Sequence, residues 1–107
     1  MPRTTVLHVD DDPVWLKSVK DALSDVPVDL IQVASLGEAK NAVGGADVVI
    51  CDGSIHEEND GHNWARELHE AGIKVIVLSM GQGYPEVPFV AKLYFKEKLI
   101  EFVQGQR

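Results

Sequence analysis

The sequence contains a single cysteine, Cys51, among its 107 residues. It therefore cannot form an internal disulfide, and we expect the protein to work in a reducing, cytoplasmic compartment. No apolar run approaches the roughly 20 residues of a membrane-spanning helix, and the first residues show no signal-peptide pattern. These absences argue against a disulfide-stabilised secreted fold and against a membrane-embedded one.

Positive charge is also scarce, because 10 Lys and Arg residues face 17 Asp and Glu residues, for a formal net charge of −7. This balance argues against nucleic acid and membrane surfaces as partners and favours bound cations or a basic protein partner. The apolar fraction of 45% is ordinary for a globular domain. Because the sequence shows no repeat, low-complexity tract or linker, we predict a single domain over residues 1–107.

Short apolar runs alternate with helical patterns along the chain. The predicted strands are Val6–Val9, Val28–Val33, Val48–Asp52, Ile73–Leu78 and Pro88–Lys92. The predicted helices are Pro13 to about Ser24, Ser35 (as the cap) to Val43, a segment between Gly61 and Gly72, and Tyr94 to about Gln104. Such alternation predicts an α/β fold, with a parallel sheet and right-handed crossovers.

The apolar spacing within these elements predicts which side chains enter the core. Those expected inside are Leu16, Val19, Leu23, Trp64, Leu68, Ala71, Leu99, Phe102 and Val103. His8 lies within an apolar strand and is expected to be a satisfied core residue rather than a ligand. Asp29 and Gln32 interrupt the second strand, which we therefore expect at an edge of the sheet.

Polar groups stand where four of the predicted strands end, namely Asp10 with Asp11, then Asp52, Ser79 and Lys92. The carboxyl ends of parallel strands share one edge, where ligands bind. Three neighbouring carboxylates repel one another unless a cation lies between them, and oxygen ligands of this kind suit Mg²⁺. With a hydroxyl and an ammonium nearby, the set suits a site at which Asp52 accepts a phosphoryl group.

Four features together resemble the receiver domain of two-component response regulators (CheY-like), over nearly the whole chain. They are Val9-Asp10-Asp11-Asp12-Pro13, Asp52, Ser79 and the run Phe89-Val90-Ala91-Lys92-Leu93-Tyr94, which matches the family's aromatic-x-x-Lys-Pro-aromatic pattern with Leu93 in place of proline. The resemblance implies a flavodoxin-like, doubly wound sheet of five parallel strands in the order 2-1-3-4-5, which is the strand order of CheY-like folds.

For the metal, the resemblance implies Mg²⁺ held directly by Asp11 and Asp52, through water by Asp10, and by the backbone carbonyl of Ser54. For the phosphoryl group, it implies Asp52 as the acceptor, with Ser79 and Lys92 contacting phosphoryl oxygens. Phe89 would be the aromatic whose rotamer follows phosphorylation. An alternative register with Lys96 as the site lysine has no partner aromatic.

As a function, the resemblance implies a stand-alone receiver in a phosphorelay, phosphorylated by a histidine kinase or histidine phosphotransfer protein. Such a domain phosphorylates itself, slowly dephosphorylates, and signals through protein–protein contacts to a target that the sequence does not name. A homodimer stays open. Two alternatives are a phosphorylation-independent pseudo-receiver and a small haloacid-dehalogenase-like phosphatase, which would need an Asp-x-Asp turn after its first strand.

Three departures from the receiver pattern stand out. The loop between Gly53, which we expect to allow a sharp turn, and Gly61 lacks the usual proline, and Gly61 falls one position late. Met80 replaces a small residue. The eight residues Met80–Val87 are too few for a helical crossover, which needs about 10–12, so we predict a loop in place of helix four. We then expect the third and last helices to share one face, leaving the other face of strand four thinly covered as a partner surface.

Overall fold

The computed structural model describes residues 4–53, 60–79, 88–91 and 95–104. The strands are β1 (Thr4–Val9), β2 (Val28–Val33), β3 (Val48–Asp52), β4 (Lys74–Ser79) and β5 (Phe89–Ala91). The helices are α1 (Pro13–Ala22), α2 (Leu36–Ala42), α3 (Asp60–Glu70) and α4 (Phe95–Gln104), and a 3₁₀ turn at Val43–Gly45 follows α2. None of these helices is long and apolar enough to span a membrane.

All strand pairs are parallel, and the four longer strands lie in the order β2-β1-β3-β4. The predicted α/β fold with a parallel sheet is therefore confirmed, as is the edge position of β2. The predicted fifth strand is reduced to the three residues of β5, which pair with Val77–Ser79 of β4. Four α-helices in the described part of the chain are consistent with the loss of helix four, but the predicted loop Met80–Val87 itself lies outside it.

Several boundaries differ from the prediction by one or two residues. β1 begins at Thr4 rather than Val6, because Thr4 and Thr5 already pair with Val28 and Asp29 of β2, and Asp47 also contacts this start. The Thr5 N–H donates to the Asp47 carboxylate (2.8 Å), and the Asp47 N–H donates to the Thr5 carbonyl (2.8 Å). This exchange joins residues 42 apart in sequence, so no local pattern announces it.

The end of α3 follows the predicted glycine stop. Gly72 has a φ of +85°, in the left-handed region that favours glycine, and the Ile73 N–H donates to the Leu68 carbonyl at 3.0 Å. Ala71 was predicted to be buried on this helix, but it is exposed, because α3 ends at Glu70 and Ala71 belongs to the turn.

The core has two halves, one on each face of the sheet. On one face, Leu7, Val49 and Val77 pack with residues of α2 and α3, including Ala39, Trp64 and Leu68. On the other face, Val6, Ile50 and Leu78 pack with residues of α1 and α4, including Val19, Leu99 and Val103. Of the side chains predicted inside, Leu16 and Phe102 are only partly buried.

The prediction that the third and last helices share a face is therefore wrong. The connections through α2 and α3 both move in the same direction across the sheet, so right-handed crossovers place these two helices on the same face. The connection through α1 moves in the opposite direction, so α1 lies on the other face. α4 packs on the face of α1. The expected thin cover of β4 is also wrong, because Val75, Ile76, Val77 and Leu78 are each at most 3% exposed.

His8 is confirmed as a core residue. It is fully buried, and its Nδ1 lies 3.1 Å from Nε2 of Gln32. The same Gln32 nitrogen donates to the carbonyl of Leu16 at 2.6 Å. One amide therefore ties α1 to the first two strands just below the point where β1 ends.

Candidate functional site

Three carboxylates converge at the carboxyl ends of β1 and β3, which are neighbours in the sheet. Asp10, Asp11 and Asp52 each offer an oxygen, and these oxygens lie within 4.8 Å of one another. Asp10 and Asp52 are buried, whereas Asp11 is exposed. The structure thus brings together the three carboxylates that the sequence singled out.

The turn that carries Asp10 and Asp11 is held by the start of α1. The Asp12 carboxylate accepts from the Val14 N–H at 2.9 Å as an N-cap, and Pro13 follows at the first helical position. The Asp12 N–H donates to Oδ1 of Asp10, also at 2.9 Å. Asp12 is therefore engaged by the helix cap, and one oxygen of Asp10 has its direction fixed.

On the other side of the cluster, the start of α3 lies directly against the end of β3. A Cβ atom at Gly61 would overlap the carbonyl oxygen of Asp52 and would lie 2.8 Å from its carbonyl carbon. The His62 N–H donates to the Gly53 carbonyl at 3.3 Å. Gly61 is thus required for a close approach of two backbones, a role that its sequence position alone did not reveal.

Gly53 lies in a turn directly after β3, and it also serves a close approach. Gly72 is the one glycine with positive φ in the described residues. A Cβ at Gly53 would instead meet the ring of His62, with Nε2 at 2.5 Å. The sequence analysis did not predict the position of His62 against Gly53. The two glycines at the ends of the polar loop, Gly53 and Gly61, were the available sign of a close approach.

Two titratable side chains border the cluster in their neutral forms. Burial lowers the pKa of His62 below its usual 6.5, against the opposing effect of the Asp52 charge. Burial, and then the charges of Asp52 and Asp10, raise the pKa of the Cys51 thiol far above its ordinary value. Cys51 therefore stays a thiol, with its sulfur 3.5 Å from the carbonyl oxygens of Asp52 and Gly61.

Ser79 ends β4, next to the strand that carries Asp52. Asp52 pairs with Leu78, so Ser79 stands one residue further toward the same edge, and it is 3% exposed. Lys92 and Ser54, like Met80, lie outside the described residues, and of Phe89 only the backbone, in β5, is described. Lys96 is exposed on the first turn of α4.

The donor set fits a hard divalent cation. Carboxylate oxygens are the ligands that Mg²⁺ prefers, and a cation between the three side chains would offset their mutual repulsion. A soft metal would not find the nitrogen and sulfur ligands that it favours, and a monovalent cation would offset less of the negative charge. Asp10, Asp11 and Asp52 are therefore the residues that would hold Mg²⁺.

No protein-family model matches the chain, and no curated protein sequence does. Among solved structures, it is similar to a signal receiver domain of an HD domain-containing protein from Pseudomonas fluorescens Pf-5 (17% identity, 97% of this chain and 94% of that one, TM-score 0.82). It is also similar to a CheY-like response regulator receiver domain protein from Methanospirillum hungatei JF-1, with 18% identity over 98% of this chain and 94% of that one, and a TM-score of 0.81. The BeF3-activated receiver domain of DrrB is 21% identical over 97% of each chain, with a TM-score of 0.79. Nearly the whole chain thus has the fold of a response regulator receiver domain, as the sequence resemblance implied.

Proposed function

We propose that the protein is a response regulator receiver, in which Asp52 accepts a phosphoryl group in the presence of Mg²⁺. The donor would be a histidine kinase or a histidine phosphotransfer protein of a cytoplasmic two-component system. The observation that carries the proposal is the convergence of Asp10, Asp11 and Asp52 within 4.8 Å at the ligand-binding edge of a receiver fold.

Asp52 is suited to act as the nucleophile. Its strand is paired on both sides, with β1 and with β4, so the backbone that carries the carboxylate is held firmly. A carboxylate oxygen of Asp52 would attack the phosphorus of a phosphohistidine, and the P–N bond would break as the new P–O bond forms. The imidazole leaves with the electron pair and takes up a proton from solvent.

The remaining residues would stabilise charge on the transferring group. Mg²⁺, held directly by Asp11, Asp52 and the Ser54 carbonyl and through water by Asp10, would supply positive charge beside the phosphoryl oxygens. Ser79 would donate its hydroxyl hydrogen to one oxygen, and the Lys92 ammonium would pair with another. Phe89 would respond to this occupancy, and altered contacts with a target protein would transmit the signal.

The test is incubation with acetyl phosphate and Mg²⁺, followed by intact mass measurement. The wild type should gain the mass of one phosphoryl group, and Asp52→Asn should gain none. Asp47→Asn is the matched control, because it removes an exposed carboxylate just before the same strand, at the opposite end from the cluster. Equal labelling of Asp52→Asn and wild type would exclude Asp52 as the acceptor.

The two alternative functions predict other outcomes, one in the same experiment and one in a turnover assay. A phosphorylation-independent pseudo-receiver would gain no mass from any phosphodonor. A haloacid-dehalogenase-like phosphatase would hydrolyse a generic phosphoester such as p-nitrophenyl phosphate over many turnovers. The acidic cluster favours the receiver over both, since it joins the ends of two neighbouring strands.

A further inference from the structure

His62 occupies the space that a side chain at position 53 would need. If a Cβ is placed on Gly53, it lies 2.5 Å from Nε2, 2.8 Å from Cε1 and 2.9 Å from Cδ2 of the His62 ring. The distal edge of the imidazole thus rests on the Gly53 backbone. His62 is 4% exposed, so the ring is confined by its own surroundings and cannot easily swing away.

The backbone of Gly53 is held from two sides. Its N–H donates to the Leu78 carbonyl of β4 at 3.3 Å, and its carbonyl accepts from the His62 N–H of α3 at the same distance. The ring of His62 adds a third contact, because it fills the space that a Cβ on Gly53 would need. Gly53 is therefore the point at which β3, β4 and α3 meet.

Gly53 directly follows Asp52, whose carboxylate the proposed function assigns to the metal. A displacement of Gly53 would shift the backbone of Asp52 and, with it, the carboxylate. Removal of a group that orients a metal ligand without binding the metal itself typically weakens metal affinity by about 10- to 100-fold. A rigid support behind Gly53 should therefore be visible in the binding of Mg²⁺.

We propose that His62 is a positioning residue for the acidic site, which fixes the backbone of Gly53 and through it the orientation of the Asp52 carboxylate. The proposal rests on the proposed function. It concerns the contact of the ring with the backbone and requires no change in the protonation of His62.

The first measurement is the Mg²⁺ dissociation constant, from amide chemical shifts of residues 10–12 and 52–53. His62→Ala should weaken Mg²⁺ binding by about 10-fold. Acetyl phosphate labelling of this variant should slow at low Mg²⁺ and recover at saturating Mg²⁺. His62→Gln, whose amide reaches the place of Nε2, should retain most of the affinity.

Leu68→Ala is the matched control. Leu68 is also a buried residue of α3, but it packs in the hydrophobic core. Its loss should lower the stability of the fold and leave the affinity for Mg²⁺ unchanged. An equal loss of affinity in Leu68→Ala and His62→Ala would overturn the proposal, because general loosening would then explain both.

A second readout needs no metal. Hydrogen exchange at the Gly53 amide should accelerate in His62→Ala more than in Leu68→Ala at matched stability. Gly53→Ala tests the contact from the other side and should also weaken Mg²⁺ binding, whereas the double variant Gly53→Ala with His62→Ala should regain stability, since the new methyl group enters the vacated space.

Wild-type affinity together with wild-type Gly53 exchange in His62→Ala would overturn the positioning role. If the wild type itself neither binds Mg²⁺ nor accepts a phosphoryl group, the proposed function fails instead. The exchange of the Gly53 amide still reports on the contact in that case, so the two failures are distinguishable.

Discussion

The substitution Gly61→Ala should destabilise the protein, although the same change in an ordinary helix is favourable. Gly61 is the second residue of α3, where alanine would gain up to about 1 kcal/mol from helix propensity. The added Cβ, however, would overlap the Asp52 carbonyl oxygen and lie 2.8 Å and 3.0 Å from the carbonyl carbons of Asp52 and Gly53. All three atoms belong to the backbone at the end of β3, which cannot rotate away as a side chain could.

The size of the effect follows from the displacement that is needed. Carbon atoms prefer separations of about 3.5–4.0 Å, so the first turn of α3 must move by roughly 1 Å. Overpacking of this kind costs about 1–3 kcal/mol, and rigid backbone on both sides places the cost at the upper end. After subtraction of the helix term, we expect a net loss of about 2 kcal/mol.

Urea unfolding followed by tryptophan fluorescence measures this loss, since Trp64 is a core residue of α3 itself. With a slope of about 1.5 kcal/mol/M, the midpoint should fall by roughly 1 M. Gly37→Ala is the matched control: Gly37 is the second residue of α2, and its Cβ would meet only Ser35 Oγ, at 4.0 Å. It should be neutral or stabilising. If Gly61→Ala behaves like Gly37→Ala, α3 does not lie against β3 as described.

Two further predictions concern the proposed site. Asp11→Asn should raise the thermal midpoint of the metal-free protein, because it reduces repulsion with Asp10 and Asp52, and it should remove the additional rise that Mg²⁺ gives the wild type; an unchanged response to Mg²⁺ would place the metal elsewhere. Lys92→Ala should reduce labelling by acetyl phosphate, whereas Lys96→Ala, which removes an exposed ammonium on α4, should label like the wild type. The reverse pattern would favour the alternative register and discard Phe89 as the switch residue.

The ends of the strands could be predicted because a buried strand appears in the sequence as an apolar run, and the polar residue at its carboxyl end interrupts that run. Val48–Cys51 is continuously apolar and Asp52 breaks the run, and the structure ends β3 at that residue. The same reasoning located Asp10 and Ser79. From there, a parallel sheet was enough to bring Asp10, Asp11 and Asp52 together.

What sequence reasoning missed depends on contacts between distant residues. The close approach of Gly61 to Asp52 and of His62 to Gly53 exists only once α3 has packed on the sheet. The error about the helix faces has a similar origin: the apolar residues of β4 show that both faces are buried, but connection handedness decides which helix covers which face. The start of β1 was missed because the partners of Thr4 and Thr5, which are Val28 and Asp29 in β2 and Asp47, are far away in the chain.

The contact between Gly53 and His62 also bears on how this region can change in evolution. Because Gly53 and His62 are in contact, the segment between them begins and ends at neighbouring points, and its length has little influence on the rest of the molecule. Closing a loop of twice the length costs only about 0.6 kcal/mol more. Residues can therefore be gained or lost between Ser54 and Gly61 while Asp52 keeps its position, and Gly61 itself stands one place later than the receiver pattern leads us to expect.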